Sequence, residues 1–207
     1  TIAGRDTTAC TLTWMFYVLC QNPGIQEKLC EEIDQKLQGR TPTPEDLDPE
    51  NMPYLNGVLY ETLRLHPPVP QDVKHAKKDM YYHDGTFVPK GTRLLFVPYA
   101  MGRNPEVYND PLKVDPTRWI PFKSKKKTLY EFPVFQAGPR FCLGKDMAQF
   151  EAKLLSAILL QKFTFSLMEG EAENITYSLM ITMSLCNSKN RPLRDRTYNL
   201  WLKPHHR

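Results

Sequence analysis

The sequence predicts a mainly α chain with small β-sheets, an α+β fold. Three observations lead there. Apolar residues recur at helical spacing through several long stretches, which marks amphipathic helices. Short apolar runs lie beside turn dipeptides, the pattern of small strands. Between them Pro98, Pro105, Pro111, Pro116, Pro121, Pro133 and Pro139 stand too close together for long helices, because each removes a backbone donor and clashes with the turn before it. With 207 residues, 41% hydrophobic and 11% aromatic, the composition is that of one globular segment able to bury a core.

The elements follow in order. Thr1-Ile2-Ala3-Gly4 runs straight into an apolar helical stretch with no capping residue, so the chain reads as a piece cut inside a helix. Asn22-Pro23 offers a cap and a first-turn proline, and Ile25, Leu29, Ile33 and Leu37 stripe a helix that ends near Gly39. Thr43-Pro44 starts a short helix. Met52, Leu55, Val58, Leu59, Leu63 and Leu65 stripe another until Pro67-Pro68 forbids its continuation. Asp84-Gly85 and Pro89-Lys90-Gly91 accompany Phe87-Val88 and Leu94-Leu95-Phe96-Val97, read as small strands. Residues 98–139 form an ordered meander, and a helix runs over about 143–162 with Met147, Phe150, Leu154, Ile158 and Leu159 on its apolar side. Phe163-Phe165-Leu167 and Tyr177-Leu179-Ile181 alternate like strands, residues 187–196 read as a loop, and a last strand lies near 198–202.

Several function classes are excluded. A net charge of +4 falls short of the concentrated basic face of a nucleic-acid binder. The chain holds neither an apolar run of the ~18 residues that a membrane span needs nor a signal-like leader. Cys10, Cys20, Cys30, Cys142 and Cys186 form no CxxC pair and no zinc-type cluster, and their odd number suits a reducing compartment.

Chemistry concentrates in Phe135-Gln136-Ala137-Gly138-Pro139-Arg140-Phe141-Cys142-Leu143-Gly144, a cysteine just before a long helix with glycines on both sides. A thiolate ligates metal, and a helix start favours it. Gly138 and Gly144 let backbone approach a flat macrocycle. Arg140 can pair with a carboxylate on its edge, and Phe135 can shield the sulfur from water. The bland alternative for an isolated Cys-x-Gly is a buried structural cysteine.

The segment matches Phe-x-x-Gly-x-Arg-x-Cys-x-Gly at every fixed position, and on this signature the chain resembles the cytochrome P450 family, haem-thiolate monooxygenases. The resemblance implies that residues 1–207 are the C-terminal haem-binding part of a single P450 domain, from the distal central helix to the C-terminal hairpin. Cys142 would be the iron ligand, with haem b (heme b, iron protoporphyrin IX) as cofactor. Glu61-Thr62-Leu63-Arg64 matches the family's Glu-x-x-Arg motif, and Pro116-Thr117-Arg118-Trp119 its meander motif, with Thr117 where an acidic residue is usual. The resemblance thus implies a buried structural network of Glu61, Arg64 and Arg118 bracing the ligand loop.

Ala3-Gly4-Arg5-Asp6-Thr7-Thr8 resembles the helix crossing the distal side of the haem. It implies Thr7 as the catalytic hydroxyl in oxygen activation, Asp6 as proton relay and Arg5 as its partner; on its own, Asp-Thr-Thr would bond only locally. Lys74 stands where the family often places a propionate-binding cation, though His75, Lys77 and Lys78 are neighbours.

The implied reaction places one atom of O2 in an organic substrate and releases the other as water. Electrons would come from NADPH through a flavoprotein reductase, since the chain has no Gly-x-Gly-x-x-Gly loop. Lys123, Lys125, Lys126 and Lys127, with Lys145, read equally as a solvated loop or as a surface steering an acidic partner. Ala3-Gly4-Arg5-Asp6-Thr7-Thr8-Ala9, the run from Tyr54 to Pro70 and Pro98-Tyr99-Ala100-Met101-Gly102-Arg103 look most like eukaryotic enzymes that hydroxylate fatty acids near the chain end, implying a lipophilic substrate. The full-length parent would sit on the cytosolic face of the endoplasmic reticulum membrane through an N-terminal anchor outside this chain. Two rivals are a hydroperoxide isomerase or dehydratase, which Thr7 argues against, and a non-catalytic haem-binding fragment. The isolated piece is expected to hydroxylate nothing.

Overall fold

The computed structural model describes residues 2–120, 128–169, 175–179, 182–187 and 200–207. Three helices come first: α1 (Ile2–Gln21), α2 (Pro23–Leu37) and α3 (Pro53–Leu65). Strands β1 (Asp72–His75), β2 (Met80–Tyr81), β3 (Phe87–Val88) and β4 (Arg93–Phe96) follow, then the short α4 (Pro98–Met101). The meander contains 3-10 turns at Pro116–Trp119, Pro133–Phe135 and Gly138–Arg140. After it come α5 (Lys145–Leu160), β5 (Phe163–Leu167), β6 (Ile175–Leu179), β7 (Met183–Asn187) and β8 (Leu202–His206). The described strands pair antiparallel in twos, β1 with β4, β2 with β3, β5 with β8 and β6 with β7. The mixed helical fold with small sheets is the one the sequence predicts.

The core forms where the apolar stripes of four helices meet. Met15 and Leu19 of α1, Leu29 and Ile33 of α2, Leu55 and Leu59 of α3, and Ala157 and Leu160 of α5 are almost fully buried in one cluster. A smaller cluster joins Cys10 and Trp14 to Met183 and Leu185 of β7, so the β6–β7 hairpin is tied to α1. Trp14 Nε1 donates to the Met183 carbonyl at 2.8 Å, and the Cys10 thiol donates to the same oxygen at 3.0 Å.

Local chemistry sets the boundaries. Pro23 opens α2, and Gln38 closes it in left-handed backbone (φ 51) with its N–H donating to Asp34 O, the turn that satisfies a helix end. No side chain of its own caps α3; Glu32 of α2 does so, accepting from Tyr54 N at 2.8 Å and Leu55 N at 2.7 Å. Pro67-Pro68 follows directly after its last turn.

Some expectations change. Residues 44–47 are turns rather than a short helix. The Asp46 carboxylate folds back onto Thr43 N at 2.7 Å and onto Arg40, competing with helical bonding. The helix expected from about 143 begins at Lys145, with Gly144 as its cap. The last strand is Leu202–His206, four residues later than expected at its start, because β8 is registered against β5 with Phe163 opposite His206. Arg207 fixes that register through Asp34 and the Leu160 carbonyl. Asn187, read as the start of a loop, closes β7. Strands β1, β2 and β7 and helix α4 are additions. The cluster Lys123, Lys125, Lys126 and Lys127, Ile181 and most of the expected 187–196 loop lie outside the described residues, as does the side chain of Cys186.

Candidate functional site

Between α1, α3 and the segment before α5 lies a cleft of about 660 Å³ of unfilled space, part of it open to solvent. Thr7, Thr8 and Thr11 of α1 form one wall, and Cys142 with Val134, Phe135 and Gln136 forms another. Leu59, Leu63, Pro68 and Val69 close it on the α3 side. Its lining is therefore mostly apolar with a few convergent polar groups, the usual make-up of a small-molecule site.

The Cys142 wall is shaped by its backbone. The chain turns at Pro133–Phe135, bends at Gln136 (φ 68, ψ 176), extends through Ala137 and turns again at Gly138–Arg140. Gly138 takes φ 77, a conformation that L side chains rarely adopt. The loop closes where Cys142 N donates to Phe135 O at 2.8 Å. Cys142 is half-buried and precedes α5 by three residues rather than capping it. Near it in the chain Leu143 is 98% exposed, Met147 67% and Phe141 54%. Arg140 is exposed on its turn, and a Cβ on Gly144 would meet nothing within 4 Å.

On the opposite wall the threonines differ. Thr7 Oγ1 donates to Ala3 O at 2.7 Å, and Thr11 Oγ1 donates to Thr7 O at 2.9 Å, ordinary bonds of helical threonines. Thr8 is 9% exposed, and its hydroxyl has no hydrogen-bond partner among the described residues. Sequence reasoning passed over Thr8 because nothing distinguishes it from Thr7 until the helix phase is known. Asp6 and Arg5 are exposed.

Behind the loop, Glu61 and Arg64 are fully buried and joined by two parallel bonds of 2.7 Å. The Glu61 carboxylate also accepts from Asp115 N at 2.8 Å and Trp119 Nε1 at 2.8 Å, and Arg118 Nε lies 3.6 Å from it. Arg64 further donates to the carbonyls of Gly102, Pro111 and Lys113. The structure thus brings Glu61, Arg64 and Arg118 together and adds Trp119, which was not singled out. Trp119 packs with its ring centroid 4.8 Å from that of Phe132, tilted by 58°, and Phe132 leads into the Pro133–Phe135 turn. Gly57 is required here, since a Cβ would stand 2.3 Å from Pro116 O.

Lys74 on β1 pairs with Asp72 at 3.0 Å and is more than half exposed. Asp72 also accepts from Gln136 Nε2 at 2.5 Å. Burial raises the Asp72 carboxyl, and its bonds from Lys74, Val73 and Gln136 outweigh that, leaving it below its ordinary value. His66, stacked on Trp14 at 4.1 Å, is pushed down to about 3 by burial, with Arg103 and Arg64 adding to the effect. Burial pushes the Cys10 thiol up to about 12 and Cys20 to about 11, so both stay protonated thiols.

The sequence model of the cytochrome P450 family matches residues 1–193. The chain belongs to the cytochrome P450 family. Among its relatives, cytochrome P450 704C1 of Pinus taeda is 38% identical over 202 residues, covering 89% of this chain and 38% of the relative. Cytochrome P450 CYP94D109 of Paris polyphylla is 39% identical, covering 84% of this chain and 36% of its own length. Cytochrome P450 4F2 of Homo sapiens is 37% identical, covering 77% and 31%. The chain therefore spans about a third of the length of the curated relatives it matches.

The residues present fit a haem. A half-buried cysteine opens on a mostly apolar cleft, and across it Thr8 carries a buried hydroxyl with no hydrogen-bond partner among the described residues.

Proposed function

We propose that the full-length parent is a haem-thiolate monooxygenase acting on a lipophilic substrate of the fatty-acid kind near its chain end. The observation that carries this reading is Cys142 facing the threonine wall of α1 across one apolar cleft. Bound there, the haem would supply a thiolate-ligated iron able to activate O2. Cys142 would hold it through sulfur, Phe135 would limit water at that sulfur, and Gly138 and Gly144 would leave room for its approach. Arg140 and Lys74 would meet its carboxylates, Lys74 giving up part of its pairing with Asp72.

The chain's own groups have separate work. Thr7 donates its proton to Ala3 O, which leaves its oxygen lone pairs to accept a bond from the cleft. Asp6, exposed one residue earlier, would relay protons from solvent to Thr7. Glu61, Arg64 and Arg118 hold the meander so that the loop keeps its shape. Electrons come from NADPH through a flavoprotein reductase, for which Lys145 beside the loop offers one attracting charge.

No helix of the described residues is long and apolar enough to cross a membrane. We place the whole protein at the endoplasmic reticulum on the family resemblance.

The test is turnover by the full-length parent with reductase, NADPH and a series of saturated fatty acids. Hydroxylation near the chain end that depends on NADPH supports the reading. Rearrangement of fatty-acid hydroperoxides without NADPH contradicts it.

A further inference from the structure

Gln136 occupies backbone (φ 68, ψ 176) that is essentially reserved for glycine. A glutamine stays there only when its surroundings hold it more strongly than the strain releases it. Two contacts do so. Its N–H donates to Pro133 O at 2.9 Å, and its side-chain amide donates to Asp72 Oδ2 at 2.5 Å.

Asp72 is itself fixed. It is paired in register with Phe96 of β4, its Oδ1 accepts from Val73 N at 2.8 Å, and Lys74 lies 3.0 Å from its other oxygen. The bend at Gln136 lies inside the loop that Cys142 N closes by reaching back seven residues to Phe135 O.

We propose that the Asp72–Gln136 hydrogen bond is a latch that holds the strained backbone at Gln136 and so keeps the Cys142 sulfur in its ligating position. Asp72 and Gln136 are then positioning residues acting through Cys142. The inference rests on the haem-thiolate reading above and extends it. It also gives Asp72 two duties, one toward the loop through Gln136 and one toward Lys74. An asparagine at position 72 keeps an acceptor for Gln136 while ending the ion pair, so the duties separate.

The experiment uses the haem-loaded full-length parent. It follows the reduced carbon-monoxide complex, whose red-shifted Soret band reports thiolate ligation, together with the rate of haem transfer to excess apomyoglobin. Gln136→Leu and Asp72→Ala should each hasten loss of the band by about tenfold, and the double variant should be no faster than either single one. Gln136→Gly, which accepts the backbone without strain, and Asp72→Asn should stay within about threefold of the parent. Parental rates in Gln136→Leu, multiplying effects in the double variant, or a Gln136→Gly as fast as Gln136→Leu would overturn the latch. A parent with no red-shifted band defeats the haem-thiolate reading instead. The latch is then read at the Cys142 amide, whose hydrogen exchange must quicken in Gln136→Leu if it stands and remain parental if it does not.

Discussion

Thr8 and His66 carry buried polar atoms without hydrogen-bond partners among the described residues, Oγ1 and Nδ1 respectively, and each has a consequence that can be measured. An unsatisfied buried hydroxyl costs about 1–3 kcal/mol of desolvation. Thr8→Val loses no hydrogen bond, so the haem-free parent should unfold at higher urea by about 1 kcal/mol. A lower midpoint would mean that Thr8 has a partner after all. His66 is neutral when folded and titrates near 3, against an ordinary value of 6.5. The unfolded chain therefore binds a proton that the fold does not, and stability falls as pH drops through the window from about 6.5 toward 3. The slope is at most about 1.4 kcal/mol per pH unit. His66→Phe, which can keep the stacking on Trp14, should lose less stability than the parent between neutral pH and pH 5 (roughly the middle of that window); identical losses would remove the assigned cause. Glu61 is the most exacting residue. Replacing it by alanine leaves Arg64 buried without its counter-charge, and the expected loss is about 3–5 kcal/mol by chemical denaturation.

At the scale of elements, the close packing of α3 on the Pro116–Trp119 turn depends on Gly57. Gly57→Ala must push the two apart, and the expected destabilisation is about 1–3 kcal/mol with a weakened Glu61–Trp119 bond, seen as altered tryptophan fluorescence. An unchanged spectrum and midpoint would contradict it. Elements also separate what the sequence tells from what it withholds. The four long helices and β3, β4 and β5 follow from apolar spacing and from proline and glycine punctuation, which are local properties. Strand β1 was missed because Asp72–His75 shows neither alternation nor an apolar run; it exists through its pairing with β4. The cap that Glu32 gives to α3 and the register of β8 come from partners far along the chain. The turns at 44–47 show the converse error, in which a cap-like Thr43-Pro44 was spent on binding Asp46 instead of opening a helix.

Across the whole molecule, the candidate site was legible in residue types but not in roles. The Cys142 segment and the Glu-x-x-Arg pair carry their chemistry in their spacing, so family and loop could be read directly. That Thr8 rather than Thr7 has the free hydroxyl depends on helix phase, and that Gln136 is strained depends on φ; neither is written in composition. The Asp72–Gln136 contact joins residues 64 positions apart, beyond any local pattern. Thr7→Ala in the full-length protein should lower product formed per NADPH consumed while leaving the thiolate spectrum intact. Unchanged coupling would move proton delivery to another group.

Whether Cys142 ligates haem iron is decided by the reduced carbon-monoxide spectrum of the haem-reconstituted full-length parent, taken beside the same protein with Cys142→His. Thiolate ligation by Cys142 gives a strongly red-shifted Soret band in the parent that disappears in the variant. An unshifted band in both would contradict it.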